Sequence, residues 1–466
     1  MEAQIYHTDS VVLFRNSQGD SGQGTLLHLT RNLAVFEVYN PYSLVQLSEV
    51  LQDLRILRGE VVYYRGRAVV SNLVSTGILL IVSASLIDPW SEFAGFSPGK
   101  GLREEVSRFV REWDVGHRLR PAYQLAVSNL RAFLGEVSRW LEQVETVARD
   151  LGTEPSPDQE VEFFADVETA LAPKLDELVA AFEGEASQVP PEETMPHKAF
   201  ARRELHPLTL CSPFVHRTYT KPLGYGGDYV MVNMMLQNRG QGANVYAKIV
   251  DAANLRAAPA AAHRNRVAML VEVLRGEARR RANRGRHLRV LNVGCGPAAE
   301  VQQFIREEPL AAGCEFDLLD FSEETIGYAR QKISEVKPKS TREPKLRFIH
   351  KSIHELLRDA SKKPEDVAPC YDLIYCAGLF DYLQDRVCKR VMELFCRQVD
   401  AGGLVLVTNV HPRNPHRYNM EHILEWHLVY RNEQAMQGLV PAGETGHTRT
   451  DPTGVNVFLE VRKKVA

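Results

Sequence analysis

The sequence has few of the features that mark membrane, secreted or nucleic-acid-binding proteins. Its 466 residues carry 56 Lys and Arg against 59 Asp and Glu, so a net charge of -3 gives no general attraction to nucleic acid or an anionic membrane. The most apolar window, residues 73–87, is interrupted by polar residues and is shorter than the roughly 20 residues of a membrane span. The N-terminal segment MEAQIYHTDS lacks the form of a signal peptide. We therefore expect a cytoplasmic protein without a membrane span and without nucleic acid as a partner.

Cysteine is also scarce. The seven cysteines are odd in number and include neither a Cys-x-x-Cys pair nor the Cys/His spacing of a metal site. This pattern indicates reduced thiols and predicts no bound metal. Because 466 residues are too many for one ordinary hydrophobic core, we expect two or three domains.

Residues 1–92 are predicted to form a small β-barrel. Three stretches rich in β-branched residues, 24–39, 60–74 and 77–87, are broken by glycines and have no helical pattern between them. Several short strands in this arrangement are typical of a small antiparallel barrel.

The layout of these strands resembles a PilZ domain, the bacterial receptor module for cyclic di-GMP. That family binds its ligand through an RxxxR arm and a DxSxxG strand, whereas residues 28–33 read HLTRNL and lack the acid and the glycine. The residues favour a barrel used for packing or docking. A nucleotide sensor is the alternative.

Residues 93–254 are predicted to be largely helical. Apolar residues recur every three or four positions from about residue 104 to residue 144, and again over 161–182. The Glu-rich stretch 183–196 is predicted to be a linker or an exposed loop. We expect the helices to pack the barrel against the C-terminal domain, and they are candidates for the interface of a homodimer.

Residues 255–466 are predicted to form an α/β domain with a doubly wound, Rossmann-like sheet. An apolar run, residues 290–293, leads into a Gly-Cys-Gly turn at 294–296 and a helical pattern, and a second apolar run ends on Asp320. In such a unit the glycines let the backbone approach a ligand, and the acid binds ribose hydroxyls. The pattern therefore predicts a nucleotide-type binding site.

This turn does not match the dinucleotide fingerprint. Pro297 and Ala298 follow it, so no GxGxxG is present to seat a pyrophosphate. The short Gly-Cys-Gly-Pro form resembles motif I of class I S-adenosylmethionine methyltransferases, whose cofactor carries no phosphate. A tight turn of any α/β protein is the alternative interpretation.

The pattern of strands and helices continues to the end of the chain. Strands are predicted at 346–352, 371–380, 404–410 and 455–463, with a helix over 385–399 and a turn at 401–403. Ligands of such sheets bind beyond the carboxyl ends of the strands. Residues at or near these ends are Gly294, Asp320, Ser352, Ala377 and His411.

Two further segments are unusually rich in one residue type, glycine in one and arginine in the other. Segment 221–236 places three glycines around Tyr225 and Asp228, which favours a pocket-lining loop; a turn before a helix capped by Asp228 is the alternative. Seven arginines lie between residues 275 and 289. They could bind phosphate, but their place at a helix end favours a solvated terminus.

Three long motifs, at 221–233, 378–387 and 409–436, carry a more specific resemblance. They are similar to the bacterial methyltransferases of extracellular-factor biosynthesis, which form 3-hydroxypalmitic acid methyl ester. The likeness covers about residues 200–466. It implies a class I methyltransferase fold, S-adenosylmethionine as cofactor and O-methylation of the carboxylate of a 3-hydroxy fatty acid. Asn292 departs from the pattern, since many class I enzymes carry an acid there.

One set of residues is expected to bind the cofactor. The glycines would pass beneath its amino-acid end, Asp320 would bind the ribose, and Phe321 and Ile353 would enclose the adenine. Asp228 could pair with the ammonium group. The set is Tyr225, Asp228, Gly294, Gly296, Asp320, Phe321, Ser352, Ile353 and Ala377.

A second set is expected to act on a small fatty or hydroxy acid. A carboxylate attacks a sulfonium methyl without a general base, so the enzyme mainly has to align the reactants. The planar guanidinium of Arg417 suits a carboxylate, whereas a hydroxyl acceptor would require Asp381 or His411 as a base. The catalytic candidates are Asp381, Tyr382, His411, Arg417, Tyr418 and Glu421.

Two other functions stay open at this point. One is methylation of oxygen or nitrogen in a natural product. The other is a regulatory protein that senses ligands through a methyltransferase fold without turnover.

Overall fold

The computed structural model describes residues 10–30, 32–39, 45–58, 61–75, 79–88, 103, 106–107, 110, 119–150, 156–337, 343–362 and 370–464. The contacts divide the chain into two compact units. The barrel unit comprises Met1–Gly226, Asn238–Ala257 and Pro415–His427. The sheet unit comprises Gly227–Gln237, Ala258–Asn414 and Leu428–Ala466.

Six antiparallel strands form the predicted N-terminal barrel. They are β1 (Ser10–Arg15), β2 (Ser21–Leu29), β3 (Leu33–Tyr39), β4 (Val50–Arg58), β5 (Val61–Ser75) and β6 (Leu79–Leu86), in the order β1-β2-β3-β6-β5-β4. The barrel closes because β1 pairs with both β2 and β4. Alternate side chains of β3 are buried, as a strand with one face toward a core requires. The single stretch expected at 24–39 is two strands, because the Thr30 N–H bonds the Leu33 carbonyl at 2.8 Å in a turn.

The chain after the barrel is helical, as predicted. Its helices are α1 (Pro121–Asp150), α2 (Pro157–Ala186), α3 (Thr194–Thr209), α4 (Pro213–Thr220), α5 (Tyr229–Gln237) and α6 (Val245–Arg256), of which α5 belongs to the sheet unit. Ser156 and Gln159 form a capping box that starts α2. The helical pattern predicted from residue 104 lies largely outside the described residues up to residue 118.

The prediction of a linker over residues 183–196 is wrong. Helix α2 continues to Ala186, and a 3₁₀ turn, Pro191–Glu193, leads directly into α3. Glu183 gives the physical reason, because its buried carboxylate accepts the backbone N–H groups of Asn419 at 2.6 Å and Tyr418 at 2.9 Å. Composition indicates exposure only on average, and a carboxylate with backbone donors can be buried.

The sheet unit has the predicted Rossmann-like α/β fold. Its strands are β7 (Arg289–Val293), β8 (Glu315–Asp320), β9 (Lys345–His350), β10 (Tyr371–Cys376), β11 (Val399–Val410), β12 (Gly446–Thr450) and β13 (Asn456–Arg462), in the order β12-β13-β11-β10-β7-β8-β9. Strands β7 to β11 are parallel, and β13 and β12 are antiparallel. The strand order reverses between β7 and β10, which is where open α/β sheets bind ligands.

Helices cover both faces of this sheet. They are α7 (Ala258–Ala282), α8 (Ala299–Glu307), α9 (Glu323–Ser334), α10 (Ile353–Lys362), α11 (Asp385–Gln398) and α12 (Glu433–Gln437). Leu274, Phe304 and Ile326 pack with strand residues in one apolar cluster, and Ile353 and Phe395 do so in another. No helix in the described part of the chain combines the length and the apolar character that crossing a membrane requires.

Two features at the end of the sheet differ from the prediction. The turn expected at 401–403 lies within β11, where the pairing with β10 passes from Tyr371–Val399 to Leu373–Leu404 and Gly402 has a φ of +70°. The residues that this pairing skips form a bulge inside the strand. Strand β12 was not predicted. It is an edge strand with the sequence GHTRT, which lacks the apolar alternation that predicts a strand.

The arginines between residues 275 and 289 are only partly a solvated helix end. Arg279, Arg284 and Arg286 are exposed, as predicted. Arg281 is 2% exposed and lies 3.0 Å from Asp372, while Arg275 pairs with Glu307 and Glu308 on α8 and the loop after it. These ion pairs hold α7 to the sheet, so the segment is structural in part.

Candidate active site

The carboxyl ends of the parallel strands carry many of the predicted site residues. Gly294 follows β7, Asp320 ends β8, Ser352 comes soon after β9, Ala377 follows β10 and His411 follows β11. Because neighbouring parallel strands end at one edge of a sheet, these residues lie along the same edge.

The glycine turn (Gly294, Cys295 and Gly296) has a left-handed backbone. Gly294 has a φ of +68° and Gly296 a φ of +52°, a region that favours glycine. The N–H groups of Gly294 and Cys295 donate to the Leu319 carbonyl at 2.8 and 3.0 Å, which ties the turn to the end of β8. Among the described residues, no atom lies within 4 Å of a Cβ built on Gly296. The turn therefore presents bare main chain toward open space, as a closely bound ligand requires.

Asp320 supports the glycine turn from β8. Its side chain is buried, with Oδ2 accepting the Gly296 N–H at 3.1 Å and Oδ1 accepting the Ser322 N–H at 3.0 Å. Burial raises the pKa of Asp320, and the backbone donors oppose that shift. Each carboxylate oxygen has lone pairs left for further donors, such as ribose hydroxyls.

Segment 227–229 connects the loops beyond two of the strands. A Cβ built on Gly227 would lie 2.6 Å from the hydroxyl oxygen of Tyr382, beyond β10. The Tyr229 hydroxyl donates to Glu324 at 2.9 Å, and its ring lies 4.6 Å from that of Tyr328 on α9, beyond β8. Since β7 lies between β10 and β8, the segment passes beside the glycine turn.

Asp228 lies in the middle of this segment. It is buried, and its Oδ1 accepts the Met231 N–H at 2.9 Å, so it caps α5 while it lies next to the sheet edge. The capping interpretation therefore applies to this residue, and its place in a pocket-lining loop stays a prediction. Tyr225 belongs to the barrel unit, where the carbonyl of the adjacent Gly224 accepts the Val50 N–H at 2.7 Å.

The residues after β8 and β9 have mixed environments. Phe321 is partly exposed, and its carbonyl lies 2.8 Å from His350 Nε2. Ser352 and Glu355 cap α10, with the Ser352 hydroxyl 3.0 Å from the Glu355 carboxylate. Ile353 is 4% exposed and packs in an apolar cluster of the sheet. The structure thus explains Ser352 and Ile353 by capping and packing, and Phe321 keeps part of its surface exposed.

Asp381 and Tyr382 lie in a 3₁₀ turn beyond β10, Phe380–Tyr382. The Asp381 carboxylate is buried and accepts the Val410 N–H at the end of β11 at 2.6 Å. Burial raises the pKa of Asp381 to about 6, although Arg266 and Arg431 act against the shift. A carboxyl group in this state can accept a proton near neutral pH.

Replacing Asp381 by asparagine is expected to change how stability depends on pH. The folded protein holds the Asp381 proton up to about pH 6, while the unfolded chain releases it from about pH 4, so wild-type stability falls as pH rises through this window. The amide introduced by Asp381→Asn cannot ionise, so the variant should gain roughly 3 kcal/mol relative to wild type between about pH 4 and pH 7. Urea unfolding at several pH values measures this difference. A difference independent of pH would contradict it.

Arg431 holds this turn in place, and it was not predicted. The side chain is buried and donates to the carbonyls of Phe380 at 2.8 Å and Leu383 at 2.6 Å, to Asn409 Oδ1 at 2.7 Å and to Asp385 Oδ1 at 2.7 Å. One guanidinium therefore joins the turn beyond β10 to the end of β11. Its position in the 409–436 motif was a signal, but its partners lie up to 51 residues away.

His411 is buried with its ring orientation set by the backbone. Its Nδ1 accepts the Arg413 N–H at 2.8 Å, so the neutral ring carries its proton on Nε2, which lies 3.3 Å from a Glu433 oxygen. Because the Nδ1 lone pair is occupied by the Arg413 N–H, the geometry favours Asp381 over His411 as a base.

Arg417, Tyr418 and Glu421 belong to the barrel unit. Arg417 donates to Glu421 at 2.8 Å, and its guanidinium lies 5.5 Å from the centre of the Tyr418 ring. The Tyr418 backbone is held by Glu183. These three side chains thus form one cluster, in which the guanidinium of Arg417 already has a carboxylate partner.

A buried acid accompanies Asn292, the position at which the sequence departs from the pattern expected of class I enzymes. Glu300 on α8 is 6% exposed, and its Oε1 accepts the Asn292 side-chain amide at 2.9 Å and the Tyr375 hydroxyl at 2.7 Å. Burial raises the pKa of Glu300. Helix α8 therefore supplies an acid directly behind the glycine turn, which the spacing in the sequence did not indicate.

Comparisons with known proteins give one family match within the chain. Residues 285–450 match the family model of a methyltransferase domain. No curated protein matches the chain.

Solved structures give distant likenesses. A possible exported protein from Bordetella parapertussis is 15% identical with a TM-score of 0.41, covering 54% of this chain and 86% of its own. A magnesium protoporphyrin IX methyltransferase from Synechocystis is 17% identical with a TM-score of 0.32, covering 44% of this chain and 84% of its own. An N-methyltransferase from Bradyrhizobium japonicum is 15% identical with a TM-score of 0.28, covering 41% of this chain and 87% of its own. We draw no conclusion on activity from likenesses this distant.

The family match agrees with the observed sheet, glycine turn and carboxyl edge, and it confirms the class predicted from the sequence. Residues 285–450 match the model of a methyltransferase domain, and their strands belong to the predicted Rossmann-like sheet.

Proposed function

We propose that this protein transfers the methyl group of S-adenosylmethionine to the carboxylate of a fatty or hydroxy acid. The observation that carries the proposal is the glycine turn of a methyltransferase domain, which exposes left-handed main chain beside the buried Asp320. The turn lacks the third glycine of a pyrophosphate site, and S-adenosylmethionine has no phosphate to seat.

The residues at the sheet edge fit this cofactor. Asp320 has acceptor capacity for ribose hydroxyls, and the partly exposed Phe321 offers an apolar face for adenine. Gly296 leaves room for the amino-acid end, and Asp228 is our proposed partner for its ammonium group. Bound there, the cofactor supplies a methyl group on a sulfonium, which is a strong electrophile.

The reaction we propose requires alignment more than acid or base catalysis. One oxygen of an ionised acid attacks the methyl carbon, the carbon–sulfur bond breaks and its electron pair stays on sulfur. No proton moves, because the carboxylate is already ionised. Holding the two reactants at near-attack distance contributes up to about 7–11 kcal/mol in ideal cases.

The choice between a carboxylate and a hydroxyl acceptor depends on the groups near Tyr382. A hydroxyl must lose its proton as it attacks, and Asp381, with its pKa raised to about 6, is the base that could take it. The Asp381 carboxylate is, however, buried and already accepts the Val410 N–H. A carboxylate acceptor needs no base to remove a proton, and we therefore propose a carboxylate.

Incubation of the protein with methyl-labelled S-adenosylmethionine and 3-hydroxypalmitate tests the proposal. We expect a labelled methyl ester that alkaline hydrolysis releases as methanol, because esters hydrolyse where ethers and N-methyl groups do not. A host lipid extract in a parallel reaction reveals other acids. Binding of the cofactor with label only in a base-stable product would contradict carboxyl methylation and support the natural-product alternative.

A further inference from the structure

A buried arginine at the sheet edge has an unused donor. Arg266 on α7 is 8% exposed, and its Nη1 has no hydrogen-bond partner among the described residues. Two other arginines of α7 are paired, since Arg264 donates to the Met235 carbonyl at 2.9 Å and Arg275 pairs with Glu308 at 2.6 Å. Leaving a buried donor unsatisfied costs about 1–3 kcal/mol, and more when the group is charged.

Arg266 lies against the loop that follows β10. A Cβ built on Gly378 would lie 2.9 Å from its Nη1 and 3.2 Å from its Nη2, and Gly378 has a φ of +98°. The next residue, Leu379, is the neighbour of the glycine turn, at 3.6 Å from a Cβ built on Gly294. The guanidinium is therefore close to the switch point between β10 and β7.

The carboxylates near Arg266 accept hydrogen bonds from other donors. Asp381 and Glu300 are the carboxylates that act on it electrostatically, and burial lowers its pKa. Asp381 accepts the Val410 N–H, and Glu300 accepts Asn292 and Tyr375. Neither acid forms a hydrogen bond with Nη1 of Arg266 in the described structure. A buried Nη1 donor without a hydrogen-bond partner here matches an anionic ligand group.

We propose that Arg266 binds a ligand carboxylate at the methyl-transfer site, with Nη1 donating one hydrogen bond to one carboxylate oxygen. This inference rests on the proposed function. Two carboxylates meet in that reaction, one on the amino-acid end of the methyl donor and one on the acceptor. A single contact from Nη1 suits either source, since it would leave the second oxygen of an acceptor free to attack the methyl carbon.

The source of the carboxylate is decided by calorimetry on the full-length protein. The ligands are S-adenosylhomocysteine and its decarboxylated analogue, S-adenosyl-3-thiopropylamine, and the variants are Arg266→Gln and the control Arg275→Gln on the same helix. If the donor's carboxylate is bound, Arg266→Gln weakens S-adenosylhomocysteine at least about 10-fold and the analogue much less, because the lost hydrogen bond exists only with the carboxylate. Arg275→Gln should change neither affinity.

The acceptor arm uses the kinetics of 3-hydroxypalmitate methylation. If the acceptor's carboxylate is bound, Arg266→Gln keeps its affinity for S-adenosylhomocysteine and raises KM for 3-hydroxypalmitate at least about 10-fold. Equal weakening of both cofactor ligands, or unchanged affinity together with unchanged KM, overturns the proposal. If wild type methylates no such acid, the donor arm alone decides.

A folding check and a second variant separate loss of the Arg266 contact from loss of the fold. Thermal unfolding shows whether Arg266→Gln is folded, and Gly378→Ala replaces it if it is not, since the added methyl group would displace Nη1. Its control is Gly443→Ala, which has a similar positive φ of +86° with no described atom within 4 Å of the new Cβ. Failure of wild type to bind S-adenosylhomocysteine contradicts the proposed function itself, and is distinct from a failure of Arg266 alone.

Discussion

Gly296→Arg is expected to weaken binding of S-adenosylhomocysteine at least about 100-fold, equivalent to roughly 2.7 kcal/mol. The new side chain would start in the open space over the glycine turn, where we place the amino-acid end of the cofactor. The φ of +52° adds a backbone cost of about 1–2 kcal/mol, because the left-handed region is unfavourable for residues with a Cβ. Calorimetry measures the affinity, and thermal unfolding measures the backbone cost.

Gly285→Arg is the matched control for this change. Gly285 also has a positive φ, +69°, and no described atom lies within 4 Å of a Cβ built on it. It is exposed in the turn between α7 and β7, away from the carboxyl edge. This variant should lose similar stability and keep its affinity. Equal loss of binding in both variants, or normal binding in Gly296→Arg, would remove the glycine turn from the cofactor site.

Arg431→Met is expected to lower the free energy of unfolding by about 3–5 kcal/mol, because several buried acceptors lose a charged donor. Methionine fills much of the same volume, but it leaves the carbonyls of Phe380 and Leu383 and the side chain of Asn409 without their donor. Each lost partner of a buried acceptor costs about 1–3 kcal/mol. Urea unfolding measures the change, and methyl transfer should fall too because the turn that carries Asp381 and Tyr382 loosens.

Arg449→Met provides a control with an arginine of the same unit. Arg449 pairs with Glu460 at 2.8 Å, with 37% of its side chain exposed. A pair with this exposure contributes only about 0–1 kcal/mol. Similar destabilisation by both substitutions would show that the contacts of Arg431 contribute no more to stability than a partly exposed ion pair. A stable Arg431→Met protein with normal activity would contradict the role we assign to that residue.

The sequence was informative wherever structure depends on neighbours along the chain. Hydrophobic periodicity predicted the barrel strands, the helices and the parallel sheet, and the Gly-Cys-Gly turn predicted where β7 ends. The prediction failed where the composition of a segment indicated one structure and specific contacts stabilised another. Residues 183–196 are rich in Glu, yet Glu183 is buried because it accepts two backbone N–H groups. Glycines at 401–403 indicated a turn, yet pairing with β10 makes them a bulge.

An α/β fold preceded by a barrel and helices, and the residues at its strand ends, could be predicted from the amino-acid sequence, because periodicity and glycine positions are local properties. Which polar side chains are buried, and which groups they bond, depends on the three-dimensional packing. It tied Asp320 to the Gly296 N–H, placed Glu300 behind Asn292 and left Arg266 with an unused donor beside Gly378. Such pairings join residues far apart in the chain, so their energies depend on strand order and packing, which no short stretch of sequence contains.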